Sequence, residues 1–255
     1  IYLNELDWEL AKANLEFVRY ADDSIVMCQT KEDLEKAKVI VHETLQRLGL
    51  ELAEDKSDDI DFHEKDFDFL GFTFNHLKLS KNRHVYYTFG PSRKSIKKFK
   101  SDIKSITKKS CTHSFEKWTK ILNPVIRGKF NYFLIPFQVA REIRLLLNER
   151  GRVMHGIPAL DITKLDGYVR QRLRVSFSCR GKKHGGQAQG KLLTVKYDNK
   201  FFIKCMGLVT GAYMKAQIVF PGINIDDFIL LMDSNKKKST SSQSKKRFFQ
   251  YAYTK

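Results

Sequence analysis

The run from Phe17 to Cys28, FVRYADDSIVMC, constrains the fold of this chain more than any other stretch. Phe17-Val18-Arg19-Tyr20 and Ser24-Ile25-Val26-Met27-Cys28 are rich in aromatic and β-branched residues, and they flank Ala21-Asp22-Asp23. That pattern predicts a β-hairpin with two carboxylates at its bend. Adjacent like charges repel, and in a water-poor cleft a hard divalent cation relieves the repulsion, Mg²⁺ above all. Asp is also a common residue of ordinary polar turns, so the meaning of the pair depends on its surroundings.

Those surroundings are a regular order of elements. Leu3, Leu6 and Leu10 fall at helical spacing and predict a helix feeding the hairpin. Thr30-Lys31-Glu32-Asp33 resembles a capping box, opening a helix with Leu34, Ala37, Val41, Leu45 and Leu48 on one face and a stop at Gly49. Leu50-Glu51-Leu52 reads as a short returning strand, and Asp55–Asp59 as a polar loop. Phe67–Phe74 alternates with period two, and Val85–Phe89 is its expected partner across a turn at Asn75-His76 or Lys81-Asn82. The fold class is therefore α+β, an antiparallel sheet with helices on one face, over residues 1–90.

After Gly90-Pro91-Ser92 the pattern turns helical, and a domain boundary is expected there. Ser92 caps a segment with a narrow stripe of Ile96, Phe99, Ile103 and Ile106, the remainder being mostly lysine. Ser114 caps the next helix, Asn123-Pro124 reads as a restart, and further helices are expected over about Val139–Arg150 and Ile162–Phe177. Residues 91–178 form a small helical domain. Residues 179–255 are a basic extension, partly disordered, with a glycine-rich loop at 179–186, a helix from Leu208 and a low-complexity tail at Ser234–Arg247. Asp226-Asp227 repeats the acidic pair without a hairpin around it and is assigned to the surface.

The charge asks for a polyanion. Against 29 Asp+Glu stand 46 Lys+Arg, a net +17, far beyond what solubility requires. No apolar run of about 18 residues and no signal-peptide pattern is present, which argues against a membrane partner. Cys28, Cys111, Cys179 and Cys205 show neither finger spacing nor a disulfide framework.

With these residues in place, Tyr20-Ala21-Asp22-Asp23 resembles the Y-A-D-D motif of reverse transcriptases of the bacterial group II intron and retron branch. The order of the later segments agrees. Leu50-Glu51-Leu52 through Lys56 matches a strand ending in a loop lysine, and Leu70-Gly71-Phe72 matches the primer-grip strand. Ile126-Arg127-Gly128-Lys129-Phe130-Asn131-Tyr132-Phe133 resembles the thumb and maturase helix of the group II intron proteins. Leu165–Arg174 is similar to the segment behind it.

The resemblance implies a partial polymerase palm followed by a helical thumb and maturase-like domain. It implies RNA-directed DNA synthesis with Mg²⁺ or Mn²⁺, in which Asp22 is a metal ligand, Asp23 supports it and Lys56 meets the departing pyrophosphate. Tyr20, Ala21, Leu70, Gly71 and Phe72 would lie against primer or nucleotide. Lys94, Lys97, Lys98, Lys104, Arg127, Lys129, Arg170, Arg172 and Arg174 would track phosphates. The implied partners are an RNA template, intron RNA, a DNA primer and deoxynucleoside triphosphates, in a ribonucleoprotein of the bacterial cytoplasm. Ile1–Asp7 reads as the inside of a helix, so a segment of a longer protein that begins within the palm is expected, inactive alone for want of another palm aspartate and the fingers. No H-N-H endonuclease framework is recognised. Two alternatives stay open: a non-catalytic maturase that binds intron RNA, and a retron or abortive-infection reverse transcriptase.

Overall fold

The computed structural model describes residues 2–53, 57–79, 85–108, 113–147, 155–158, 160–178 and 193–239. It divides into two compact units, residues 1–70 and 71–255. The first holds α1 (Asn4–Lys12), β1 (Glu16–Tyr20), β2 (Asp23–Met27), α2 (Lys31–Arg47) and β3 (Phe67–Phe69). β1 and β2 pair antiparallel from Glu16↔Met27 to Tyr20↔Asp23, as the alternation predicts. Leu6, Leu10, Leu15 and Ala37 form the core of this unit, and Phe17 and Val26 pack onto it from one face of the hairpin.

Local chemistry sets the limits of α2. Thr30 Oγ1 accepts from the Asp33 N–H at 3.1 Å while the Thr30 N–H donates to Asp33 Oδ2 at 3.1 Å, a complete capping box. At the far end Gly49 takes φ +67° and the Leu50 N–H returns to Leu45 O. Leu50-Glu51-Leu52 is not the expected strand, because the first of its N–H groups is spent closing the helix and residues 50–53 have no regular structure. The phenylalanine run is also broken. Leu70 and Gly71 at φ 47° and 74° turn the chain between β3 and the next strand.

In the second unit β4 (Phe72–Leu79) and β5 (Val85–Pro91) pair antiparallel, from Phe72↔Pro91 to Leu79↔Val85, with an irregularity between Asn75 and Lys78. β4 runs through Asn75-His76, and Lys81-Asn82 lies outside the described residues. Chain order then gives α3 (Arg93–Ile106), α4 (Phe115–Phe133), α5 (Ile135–Leu147), β6 (His155–Pro158), α6 (Ile162–Ser178), a short π-helix (Phe201–Cys205), α7 (Gly211–Val219) and α8 (Ile225–Ser239). β6 joins β5 in parallel, Tyr86↔His155 to Phe89↔Pro158. The sheet is thus mixed rather than purely antiparallel, since three helices supply the long crossover a parallel neighbour needs.

The division at Leu70/Gly71, instead of near residue 90, groups the β4–β5 hairpin with the helices. Gly71 O accepts from the Ser92 N–H at 2.8 Å and from Ser95 Oγ at 2.9 Å, tying the start of β4 to the start of α3. Phe72 lies on Tyr132 of α4 with ring centroids 4.9 Å apart. Asn123-Pro124 does not restart a helix. α4 runs through Pro124 because Trp118, Leu122, Ile126 and Phe130 form one unbroken buried stripe, and their burial outweighs the hydrogen bond that Pro removes. Asn123 instead holds a later segment, accepting from the Val209 N–H and donating to Gly207 O, each at 2.9 Å.

Two further boundaries move. α5 begins at Ile135, and α8 continues to Ser239, into the tail expected to be disordered from Ser234. Residues 179–192 and 240–255 lie outside the described residues.

Candidate active site and basic faces

The Tyr20↔Asp23 pair closes the hairpin on a two-residue loop, Ala21 and Asp22. Ala21 takes φ 53°, which costs a residue bearing a Cβ on the order of 1 kcal/mol. A small side chain suits such a bend best. Asp22 and Asp23 are both exposed, beside a Tyr20 that is 68% exposed.

Strand alternation sends Arg19 to the opposite face from Tyr20, and there it binds the helix before the hairpin. Its Nε donates to Asp7 Oδ1 at 2.7 Å, its Nη2 donates to Asp7 Oδ2, and its Nη1 donates to Ala21 O at 3.0 Å. One planar guanidinium therefore clamps α1 and the strained turn together. The hydrogen bond from Arg19 holds the Asp7 carboxyl below its ordinary range, and Asp7, with a smaller share from the charge of Asp22, raises Arg19. A depressed carboxylate stabilises above its unfolded pKa and loses that contribution as pH falls through the folded value. The clamp is accordingly expected to release below about pH 4, and amide exchange at residues 19–23 against pH measures this. Arg19→Ala is expected to speed that exchange at neutral pH while costing only about 1 kcal/mol, because the pair is part-exposed.

As a metal site the tip is right in kind and short in number. Two hard carboxylates suit Mg²⁺ or Mn²⁺, but among the described residues no three His, Cys, Asp or Glu side chains stand together. Lys56 lies outside the described residues. Leu70 ends the first unit in the left-handed region, partly buried. At Gly71 the φ of +74° favours glycine, and a Cβ there would sit 2.9 Å from Ser95 Oγ and push that hydroxyl aside. Gly71→Ala is expected to lower stability by about 1–2 kcal/mol in thermal unfolding. Phe72 is buried and serves the core.

The basic residues separate into two groups. Lys94, Lys97, Lys98 and Lys104 are exposed on α3, opposite the fully buried Phe99 and Ile103; Arg127 is exposed and Lys129 half-buried on α4. Of the three arginines of α6, Arg170 and Arg174 depart from the expected phosphate-tracking row. Arg170 is 8% exposed, next to the buried Asp166, which leaves no route to a phosphate. Arg174 donates from Nε to Tyr197 O at 2.9 Å and lies over the Phe202 ring, so burial holds it in packing. Arg172 is bound to Thr107 through Nε at 3.1 Å and Nη2 at 2.7 Å, yet stays partly open. Asp226 and Asp227 are exposed in the first turn of α8, where Asp226 pairs with Lys204 at 2.6 Å.

Two contacts of consequence have no strong signal in the sequence. Nothing in periodicity pairs Asp7 with Arg19, although an arginine inside a hydrophobic strand next to an acidic bend is itself a hint. Asp166 lies within the Leu165–Arg174 segment, where its residue type alone assigns it no role.

Comparison with known families gives two matches. Residues 1–74 match the model described as reverse transcriptase (RNA-dependent DNA polymerase), and residues 96–148 match the group II intron, maturase-specific domain. No curated protein is similar enough to match.

Proposed function

Because the chain belongs to the group II intron-type reverse transcriptase/maturase proteins, we propose that its hairpin tip contributes to the metal site of RNA-directed DNA synthesis. The observation that carries this reading is the exposed Asp22-Asp23 pair on a bend clamped by Arg19. Asp22 is the ligand, and Asp23, the first residue of β2, supports it from the strand. Ala21 keeps the approach open for a primer end, and Tyr20 offers it an aromatic face. A divalent ion held by Asp22 and Asp23 would supply charge stabilisation to the primer 3′ oxygen and the leaving pyrophosphate. Lys56 is assigned the pyrophosphate side. A DNA primer is extended with deoxynucleoside triphosphates along an RNA template, and the lysine face of α3 with Arg127 and Lys129 holds structured RNA.

Two carboxylates are fewer than a two-metal site uses. The 255 residues alone are therefore expected to extend no primer detectably with Mg²⁺ and an RNA template. Template-directed product from the isolated chain would refute that.

The RNA-binding part is tested by titrating intron RNA and an unrelated duplex against salt. Tight binding with a steep slope is expected, and a slope of only one or two phosphate contacts would remove the extended basic face. A maturase that binds intron RNA without chemistry is the second reading, favoured by the small carboxylate count at the tip. Loss of intron preference in the same titration would count against it.

A further inference from the structure

On the surface of the helical unit, α3 and α6 enclose an open groove of about 420 Å³. It is lined by Ser101, Lys104, Ser105, Lys108 and Arg172. Three of these five are cations and none is a carboxylate. The spacing explains the convergence: Ser101 and Ser105, and Lys104 and Lys108, are four residues apart and share one side of α3 and its end. Thr107, fully buried, fixes Arg172 across from them by accepting from Nε and Nη2. Among the described residues Nη1 of Arg172 has no hydrogen-bond partner, and no carboxylate pairs with Lys104 or Lys108. A pre-positioned guanidinium facing two mobile ammonium groups is a donor set for a tetrahedral oxyanion.

We propose that this groove seats a backbone phosphodiester of bound RNA, with Arg172 as the fixed donor and Lys104 and Lys108 closing on the remaining oxygens. This rests on the proposed RNA binding and sharpens it. Of the three α6 arginines only Arg172 takes part, and it does so jointly with the end of α3. A nucleic-acid phosphate fits better than a lipid headgroup because all five lining residues end in a hydroxyl or a cation, and no large apolar side chain is among them to enter an acyl layer.

The test compares wild type, K104Q/K108Q and, as an equal charge change elsewhere, K117Q/K120Q, whose lysines are exposed on α4. Affinity for a structured RNA hairpin is measured from low to moderate salt, with thermal melts confirming that all three fold alike. K104Q/K108Q is expected to bind roughly tenfold more weakly than K117Q/K120Q, with a log–log salt slope smaller by nearly two. Equal losses in the two variants would overturn the groove while leaving RNA binding in place. No RNA binding by wild type would overturn both the groove and the RNA-binding reading. Loss of binding to phosphatidylserine vesicles in K104Q/K108Q, with RNA affinity unchanged, would overturn it in favour of a membrane headgroup.

Discussion

Replacing Asp166 by alanine is expected to cost the helical unit about 3–5 kcal/mol, read as a lower denaturant midpoint at unchanged slope. Asp166 is 3% exposed, and its two oxygens accept from the first turn of α7, Oδ1 from the Gly211 N–H at 2.8 Å and Oδ2 from the Ala212 N–H at 2.9 Å. Removing the carboxylate leaves two helix-terminal N–H groups without an acceptor and strands the buried Arg170 beside them. These losses share one network and do not add in full. Burial pushes the Asp166 carboxyl up, against the opposing pull of the two N–H donors and Arg170. Between its ordinary value and that raised value the native state keeps a proton the unfolded chain has lost, so this residue's contribution to stability falls as pH rises through the window. In Asp166→Asn that pH dependence disappears, and the loss is smaller, because one acceptor remains.

Gly211→Ala is expected to destabilise by about 1–3 kcal/mol, although alanine is the better helix former by up to about 1 kcal/mol. A Cβ at residue 211 would meet Ile162 Cδ1 at 2.6 Å and Phe130 Cδ2 at 2.8 Å. Neither neighbour can yield easily, since Ile162 is 4% and Phe130 0% exposed within the same core. The clash therefore outweighs the propensity gain. Thermal unfolding of the variant checks this, and an unchanged or raised Tm would show that the core relaxes around the methyl.

Much of the local structure was legible because its causes are local. The hairpin around Ala21-Asp22-Asp23, the Thr30 capping box, the Gly49 stop and the Ser92 and Ser114 caps each follow from a few neighbouring residues. What failed depended on distant partners. Pro124 reads locally as a helix start, yet the stripe from Trp118 to Phe130 carries α4 through it. Arg170 and Arg174 read as a basic row beside Arg172, yet Arg170 is buried next to Asp166 and Arg174 is half-buried and bound to Tyr197 O, while Arg172 reaches an open groove. The parallel pairing of β6 with β5 has no signature in either strand, because it is made by the helices between them. At the candidate site the two carboxylates were readable from the motif, while the Asp7–Arg19 clamp that ties their turn to α1 was not, since it joins a helix to a strand face by side-chain geometry alone.

The central claim is that Asp22 and Asp23 bind a divalent cation at the hairpin tip. Paramagnetic broadening of backbone amides on titrating Mn²⁺ into the full chain, for wild type and Asp22→Asn, addresses it directly. Broadening centred on residues 20–24 in wild type, and lost in Asp22→Asn, is the predicted result. Broadening centred elsewhere, or unchanged by the substitution, would contradict it.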